Sequence, residues 1–299
     1  MTAPAWPDTI SRADRPHGLR IVITGASGTV GSRVTRLLAA DHQVRSLTRD
    51  PARAAGRGVA GQIVRADLAD RTSLKETMAG ADALLLVTFD PAQPAHDANA
   101  LSAAQATGVR HIVKLSASAV DDPGSQDLIT NWQRECEERL KLTGLSWTLL
   151  RSRAYMSNSL GWSSSIRQEG VVRSLYGSSQ NACIDPQDVA EAAARALTAR
   201  EHAAVHSLTG PEALSAQEQT RQLAKVLGRP LRYEEMTEEQ ALQGWARRFP
   251  KPVAEALLTR ARRQAEGVKA QPTSGVVEAI GRPMGTFLAW AARHTADFR

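Results

Sequence analysis

The chain has 299 residues, 42% apolar and 23% charged, with a formal net charge of +6. That balance suits a globular protein with a substantial core, and no run approaches the roughly 18 apolar residues of a membrane span. The two cysteines, Cys136 and Cys183, lack zinc spacing and suit a reducing compartment, so a cytoplasmic protein with no membrane partner is expected.

Residues 1–18 have neither an apolar core nor a cleavage pattern and read as a flexible lead-in. A short apolar run at 19–23 then meets the turn Gly25-Ala26-Ser27-Gly28-Thr29-Val30-Gly31. Beyond it Val30, Val34, Leu37 and Leu38 fall on one face of a helix. Strand, glycine turn and helix form the context of a dinucleotide site. Gly25 permits the turn, Gly28 lets backbone approach a pyrophosphate, and Gly31 lets helix pack on strand. Ser27, Thr29 and Val30 complete this candidate cofactor loop. The second strand, 44–48, ends at Arg49, where an arginine accommodates the 2′-phosphate of NADP. Asp50 before Pro51 suits a helix cap, with the ribose of NAD as its alternative partner.

The third strand, within 61–68, ends near Asp67, either an adenine-edge contact or the cap of a helix at 73–78. Residues 83–87 are wholly apolar, as in a central parallel strand, and Thr88 and Phe89 follow at the carboxyl end, where ligands lie. A helix is expected at 94–107 and a strand at 111–115, which carries Lys114, a cofactor contact or a solvated edge. Ser116 and Ser118 follow. A helix at 131–142, a strand at 146–150, a helix from 185 to 199 and a strand at 206–208 complete the series. The alternation predicts an α/β, doubly wound parallel sheet of order 3-2-1-4-5-6-7. Past Thr209 the pattern is helical and without strands, with helices at 214–227, 237–249, 253–268 and 285–295. The expected domains are a cofactor-binding domain at 19–157, with 183–209 returning to its sheet, and a substrate cap of 158–182 and 210–299. Basic residues are scattered. Arg260, Arg262 and Arg263 share a helix with Glu255 and Glu266, a solvated face rather than a nucleic-acid surface. The seven histidines, from His17 to His294, show no metal spacing.

Several segments resemble the NmrA-like atypical short-chain dehydrogenase/reductases over nearly the whole chain, residues 19–298. They are the loop at 24–31, Thr48-Arg49-Asp50-Pro51, Val113-Lys114-Leu115-Ser116, Thr148-Leu149-Leu150-Arg151, the stretch at 208–215, and Ala279-Ile280-Gly281-Arg282-Pro283. The resemblance implies a Rossmann-type fold and NADPH, with NADH as second candidate. It covers quinone, ketone and ether reductases as well as sensors that catalyse nothing.

Ordinary members of the wider superfamily use a Tyr-x-x-x-Lys proton relay. None of the three tyrosines here has lysine four places on, and Gln133 and Glu137 align with the pair. Ser116 stands where the superfamily serine sits, so Ser116, Gln133 and Tyr155 are the catalytic candidates. Arg151 and Arg153 are candidates to grip an anionic substrate, with an internal ion pair as the alternative for Arg151. The expected activity is reduction of a carbonyl or quinone on an apolar, polycyclic aromatic, polyketide-like substrate, as in antibiotic tailoring. Its proton would come from water, substrate or Ser116, in a monomer or homodimer. The alternative is a non-catalytic NADP(H) sensor acting through a protein partner.

Overall fold

The computed structural model describes residues 18–299, so most of the lead-in, with His17, lies outside the described residues. The chain opens β1 (Arg20–Ile23), α1 (Gly31–Leu38), β2 (Gln43–Thr48), α2 (Pro51–Gly56), β3 (Gln62–Arg65), α3 (Arg71–Met78), β4 (Ala83–Leu86), α4 (Ala95–Ala106) and β5 (His111–Ala117). It continues with α5 (Leu128–Lys141), β6 (Ser146–Ser152), α6 (Ser163–Glu169), β7 (Val171–Ser174), α7 (Pro186–Ala199), β8 (Ala204–Leu208), α8 (Ala216–Leu227) and β9 (Arg232–Glu235). Last come α9 (Glu238–Ala246), α10 (Lys251–Ala265), α11 (Gly275–Ile280), α12 (Phe287–Arg293) and α13 (Thr295–Phe298).

Seven strands form one sheet, ordered β3-β2-β1-β4-β5-β6-β8, and β1 pairs in parallel with both β2 and β4. This is the expected doubly wound order, with β7 set aside. The strandless tail is a correction. β9 pairs in parallel with β7, register Val171 to Arg232 through Ser174 to Glu235. Its sequence Arg-Tyr-Glu-Glu has no apolar alternation, so periodicity could not reveal it. The helical face of α1 is also narrower than expected, since Val34 and Leu38 are buried but Leu37 is exposed. Asp50 caps α2 by accepting from Arg53 N, as expected. The cap of α3 is Asp70, which accepts from Thr72 N and Ser73 N, not Asp67.

The described residues fall into two compact units. The first runs through Ser116 and adds Trp132–Leu150 and Val189–His206, and the second comprises Ala117–Asn131, Arg151–Asp188 and Ser207–Arg299. In the first, Val22, Leu84, Leu86, Ile112 and Leu149 pack with Leu74, Met78, Leu101 and Leu140 from the helices. In the second, Trp290 is fully buried with Met156, Ile166, Val172, Leu223, Phe287 and Phe298. Its ring stacks on His294 at 4.4 Å and lies 5.6 Å from Phe287.

Two outcomes follow from these cores. Trp290→Ala should cost about 3–5 kcal/mol in urea unfolding. Trp290→Phe should cost less, because the indole N–H has no hydrogen-bond partner to lose. His111 is the second case. It is buried beside Ser146 and Thr148, and burial pushes its pKa down to about 4. The unfolded chain then binds a proton that the folded chain refuses between pH 6.5 and 4, so stability falls as pH drops through that window. The loss between pH 7 and pH 4.5 is about 2.5 kcal/mol, read as the difference between wild type and His111→Gln in unfolding at those two pH values.

Candidate active site

The exit of β1 is built by close backbone contact. Thr24 Oγ1 accepts from Val87 N at 2.7 Å and donates to Val87 O at 2.9 Å, tying the loop to the end of β4. Gly25 turns at φ +60°, a conformation other residues resist, and is exposed. A Cβ on Gly31 would stand 2.3 Å from Gly25 O, so α1 can start there only from glycine. Gly28 N donates to Gly25 O, and Gly28 and Thr29 are exposed at the tip. Val30 is buried and anchors the loop.

Beside this loop, at the carboxyl ends of the strands, lies a cavity of about 280 Å³. Among its lining residues are Gly25, Ser27, Arg49, Asp67, Thr88 and Phe89, all expected from the sequence. Asp67 uses Oδ1 to accept from Ala69 N. Arg53, in the first turn of α2, lines it too. Sequence reasoning missed it, although its place just after Asp50-Pro51 at a capped helix start was the available signal. Among the described residues no carboxylate lies within ion-pair distance of either guanidinium. Exposed glycine backbone, a cavity and two uncompensated arginines fit a dinucleotide with an extra phosphate.

Lys114 is not in that lining. It is fully buried, and Nζ donates to Leu115 O at 2.7 Å and Gln133 Oε1 at 3.0 Å, 5.4 Å from the centre of the Trp132 ring. Its neighbour on the same strand face, Ser116, donates to Glu137 Oε1 at 2.6 Å. Trp132 Nε1 donates to Asp97 Oδ2, and Thr88 Oγ1 donates to Asp97 Oδ1. Gln133 and Glu137 are both buried. The solvated-edge alternative for Lys114 is therefore wrong: a lysine inside the central sheet is held by its own hydrogen-bond network.

A family described as NAD(P)H-binding matches residues 25–200. The chain belongs to this family, as an NmrA-like atypical short-chain dehydrogenase/reductase. It is 46% identical over 279 residues to the (4-alkanoyl-5-oxo-2,5-dihydrofuran-3-yl)methyl phosphate reductase of Streptomyces griseus, covering 93% of this chain and 99% of that protein. It is 33% identical over 285 residues to the NAD(P)H azoreductase of Xenophilus azovorans, covering 93% and 99%. The Escherichia coli NADPH-dependent quinone oxidoreductase, solved in complex with NADPH, superposes with a TM-score of 0.78 at 26% identity, covering 92% of this chain and 99% of that one. The protein is an NADPH-dependent reductase of a small molecule, which sets aside the non-catalytic sensor.

In this reductase the third catalytic candidate, Tyr155, lies in the second unit. Its hydroxyl accepts from Ser152 Oγ at 3.3 Å, and burial pushes its pKa above the ordinary value, the opposite of what an acid relay needs. Arg151 forms the internal ion pair, with Asp121, whereas the buried Nε of Arg153 has no hydrogen-bond partner among the described residues. No group of metal-ligating side chains occurs among the described residues, and none of the described helices is long and apolar enough to cross a membrane.

The exposed arginines give the next outcome. The double variant Arg49→Ala, Arg53→Ala should raise the KM for NADPH about 10- to 100-fold, the worth of one charge-assisted contact or more. It should leave the KM for NADH nearly unchanged, as read by nicotinamide absorbance.

Proposed function

We propose that the reductase places hydride on carbon of an electron-poor conjugated acceptor, with a phosphorylated unsaturated lactone as the favoured substrate class. The observation that carries this reading is the commitment of both relay positions: Gln133 and Glu137 are spent on Lys114 and Ser116 inside the protein. A substrate that needs little acid assistance suits such a site. Bound NADPH supplies the hydride. The Gly25–Gly31 loop and Arg49 hold the cofactor, and Thr88 and Phe89 border it.

The relatives support the acceptor class. The named substrate of the Streptomyces protein is an unsaturated lactone with two carbonyls on its double bond and a phosphate ester beside it. When hydride adds to the far carbon of such an alkene, the displaced electron pair spreads over both carbonyl oxygens. That delocalised anion takes its proton from water. Quinone and azo acceptors, named for other relatives, also carry the arriving charge on their own heteroatoms. In this reading Ser116 orients Glu137 rather than giving up a proton, and the enzyme acts in the cytoplasm as a monomer or homodimer. A polycyclic aromatic ketone or quinone is the second reading, favoured by the quinone oxidoreductase likeness.

The test uses NADPH deuterated at nicotinamide C4. With a 4-acyl unsaturated lactone phosphate, deuterium should appear on the ring carbon bearing the phosphomethyl group. Deuterium on a carbonyl carbon, or turnover of polycyclic quinones alone, would overturn this reading. Ser116→Ala should keep turnover within about tenfold, because a lost general acid costs roughly 10²- to 10⁴-fold.

A further inference from the structure

The geometry points to an anion site within the second unit, in which Arg153, Arg260 and Lys269 hold a phosphomonoester dianion. The identity of the ligand as a substrate ester rests on the function proposed above, whereas the existence of the site does not.

Three separate stretches bring these cations together. After β6 the chain runs extended through Arg153. Ile184 N donates to Ala154 O and Met156 N donates to Ile184 O, each at 2.9 Å, so residues 154–156 lie along residue 184. Two residues earlier, Ala182 N donates to Lys269 O at 3.0 Å. Lys269 thus sits on the other end of the same short segment. Its Nζ then donates to the carbonyl of Arg260 at 2.8 Å, which brings in α10.

Counter-charge is scarce there. Among the described residues, Arg260 has one carboxylate within ion-pair distance, Asp127 at 3.9 Å, and otherwise reaches only the Thr130 hydroxyl at 3.3 Å. Asp127 is already committed: Oδ1 accepts from Ile129 N and Thr130 N, and Oδ2 from the Thr130 hydroxyl. Around Arg153 the acids are Asp121 and Asp122, engaged by Arg151 and Arg263. The buried Nε of Arg153 finds no hydrogen-bond partner among the described residues. Burial and the two neighbouring arginines push the Lys269 pKa down to about 7, and burial lowers both Arg153 and Arg260.

Three desolvated cations against Asp127, with Asp121 and Asp122 already held by other arginines, are costly. An anion of charge −2 would cancel the excess. Guanidinium forks and an ammonium are the donors that phosphate oxygens take.

The test keeps the full chain and saturates it with NADP+, so that the cofactor's own phosphate contacts are filled. Inorganic phosphate is the probe, followed by thermal melting and by titration calorimetry. Wild type should bind phosphate and melt higher. Arg153→Gln and Lys269→Met should weaken phosphate binding about 10- to 100-fold, with NADPH affinity unchanged. Lys269→Met should melt no lower than phosphate-free wild type, because it removes an uncompensated charge. No phosphate binding by wild type, or equal binding by both variants, would overturn the site. Arg49→Ala serves as the control and should leave this binding intact. If phosphate binds as stated but the phosphorylated lactone is not reduced, the proposed function fails and the site stands. If the lactone is reduced equally well with and without its phosphate ester, the function stands and the ligand assignment fails.

Discussion

The contact on which the cofactor site depends is the approach of α1 to the end of β1. Gly31 has no room for a methyl group above Gly25 O. Thr24 pins the same turn to Val87, so the exits of β1 and β4 are locked together by backbone and one hydroxyl. The consequence is geometric. Ser32 N donates to Gly28 O and Arg33 N to Val30 O, so the loop is tied into the first turn of α1 while Gly25, Gly28 and Thr29 stay exposed. An anion bound there gains from the helix end without the cost of ordering the loop.

A second set of contacts explains what this reductase gave up. Lys114 and Ser116 are two apart on β5 and share a face, while Gln133 and Glu137 are four apart on α5 and share a face. They meet as two buried rungs. A buried ammonium needs its partners, and the carbonyl of Leu115, the amide of Gln133 and the Trp132 ring supply them. A tyrosine and lysine at 133 and 137 would bring a second ammonium beside Lys114 and leave the first short of an acceptor. The positions that carry acid chemistry elsewhere in the superfamily therefore hold sheet to helix here. The function proposed above meets this with an acceptor that provides its own sink for charge.

The parts legible in the sequence were those written in local pattern. The parallel order, the Gly25–Gly31 loop and the lining roles of Arg49, Asp67, Thr88 and Phe89 all follow from strand runs that end in turn residues. Pairs that depend on distant contact were not legible. Lys114 looks like a surface or cofactor lysine until α5 is placed over it. β9 is invisible because four polar residues, partly or fully exposed, give no period. Arg153 and Lys269 lie 116 positions apart, and only the segment 182–184 between them shows that they converge.

The positive surplus is better understood from pairing than from count. Arg173 is held by Glu169 and Glu234, Arg262 by Glu238, Arg263 by Asp122, Arg282 by Asp188 and Arg293 by Asp185. Each of these arginines of the second unit is held by one or two carboxylates of the same unit. Among the described residues, Arg49 and Arg53 have no carboxylate within ion-pair distance, and Arg153, Arg260 and Lys269 have between them one, Asp127 at 3.9 Å from Arg260. One pair borders a cavity and the other group is partly desolvated. In the second group, desolvated cations with so little counter-charge cost folding stability. In the site proposed above, a bound phosphate ester offsets that cost, so such a ligand should stabilise the fold as it binds.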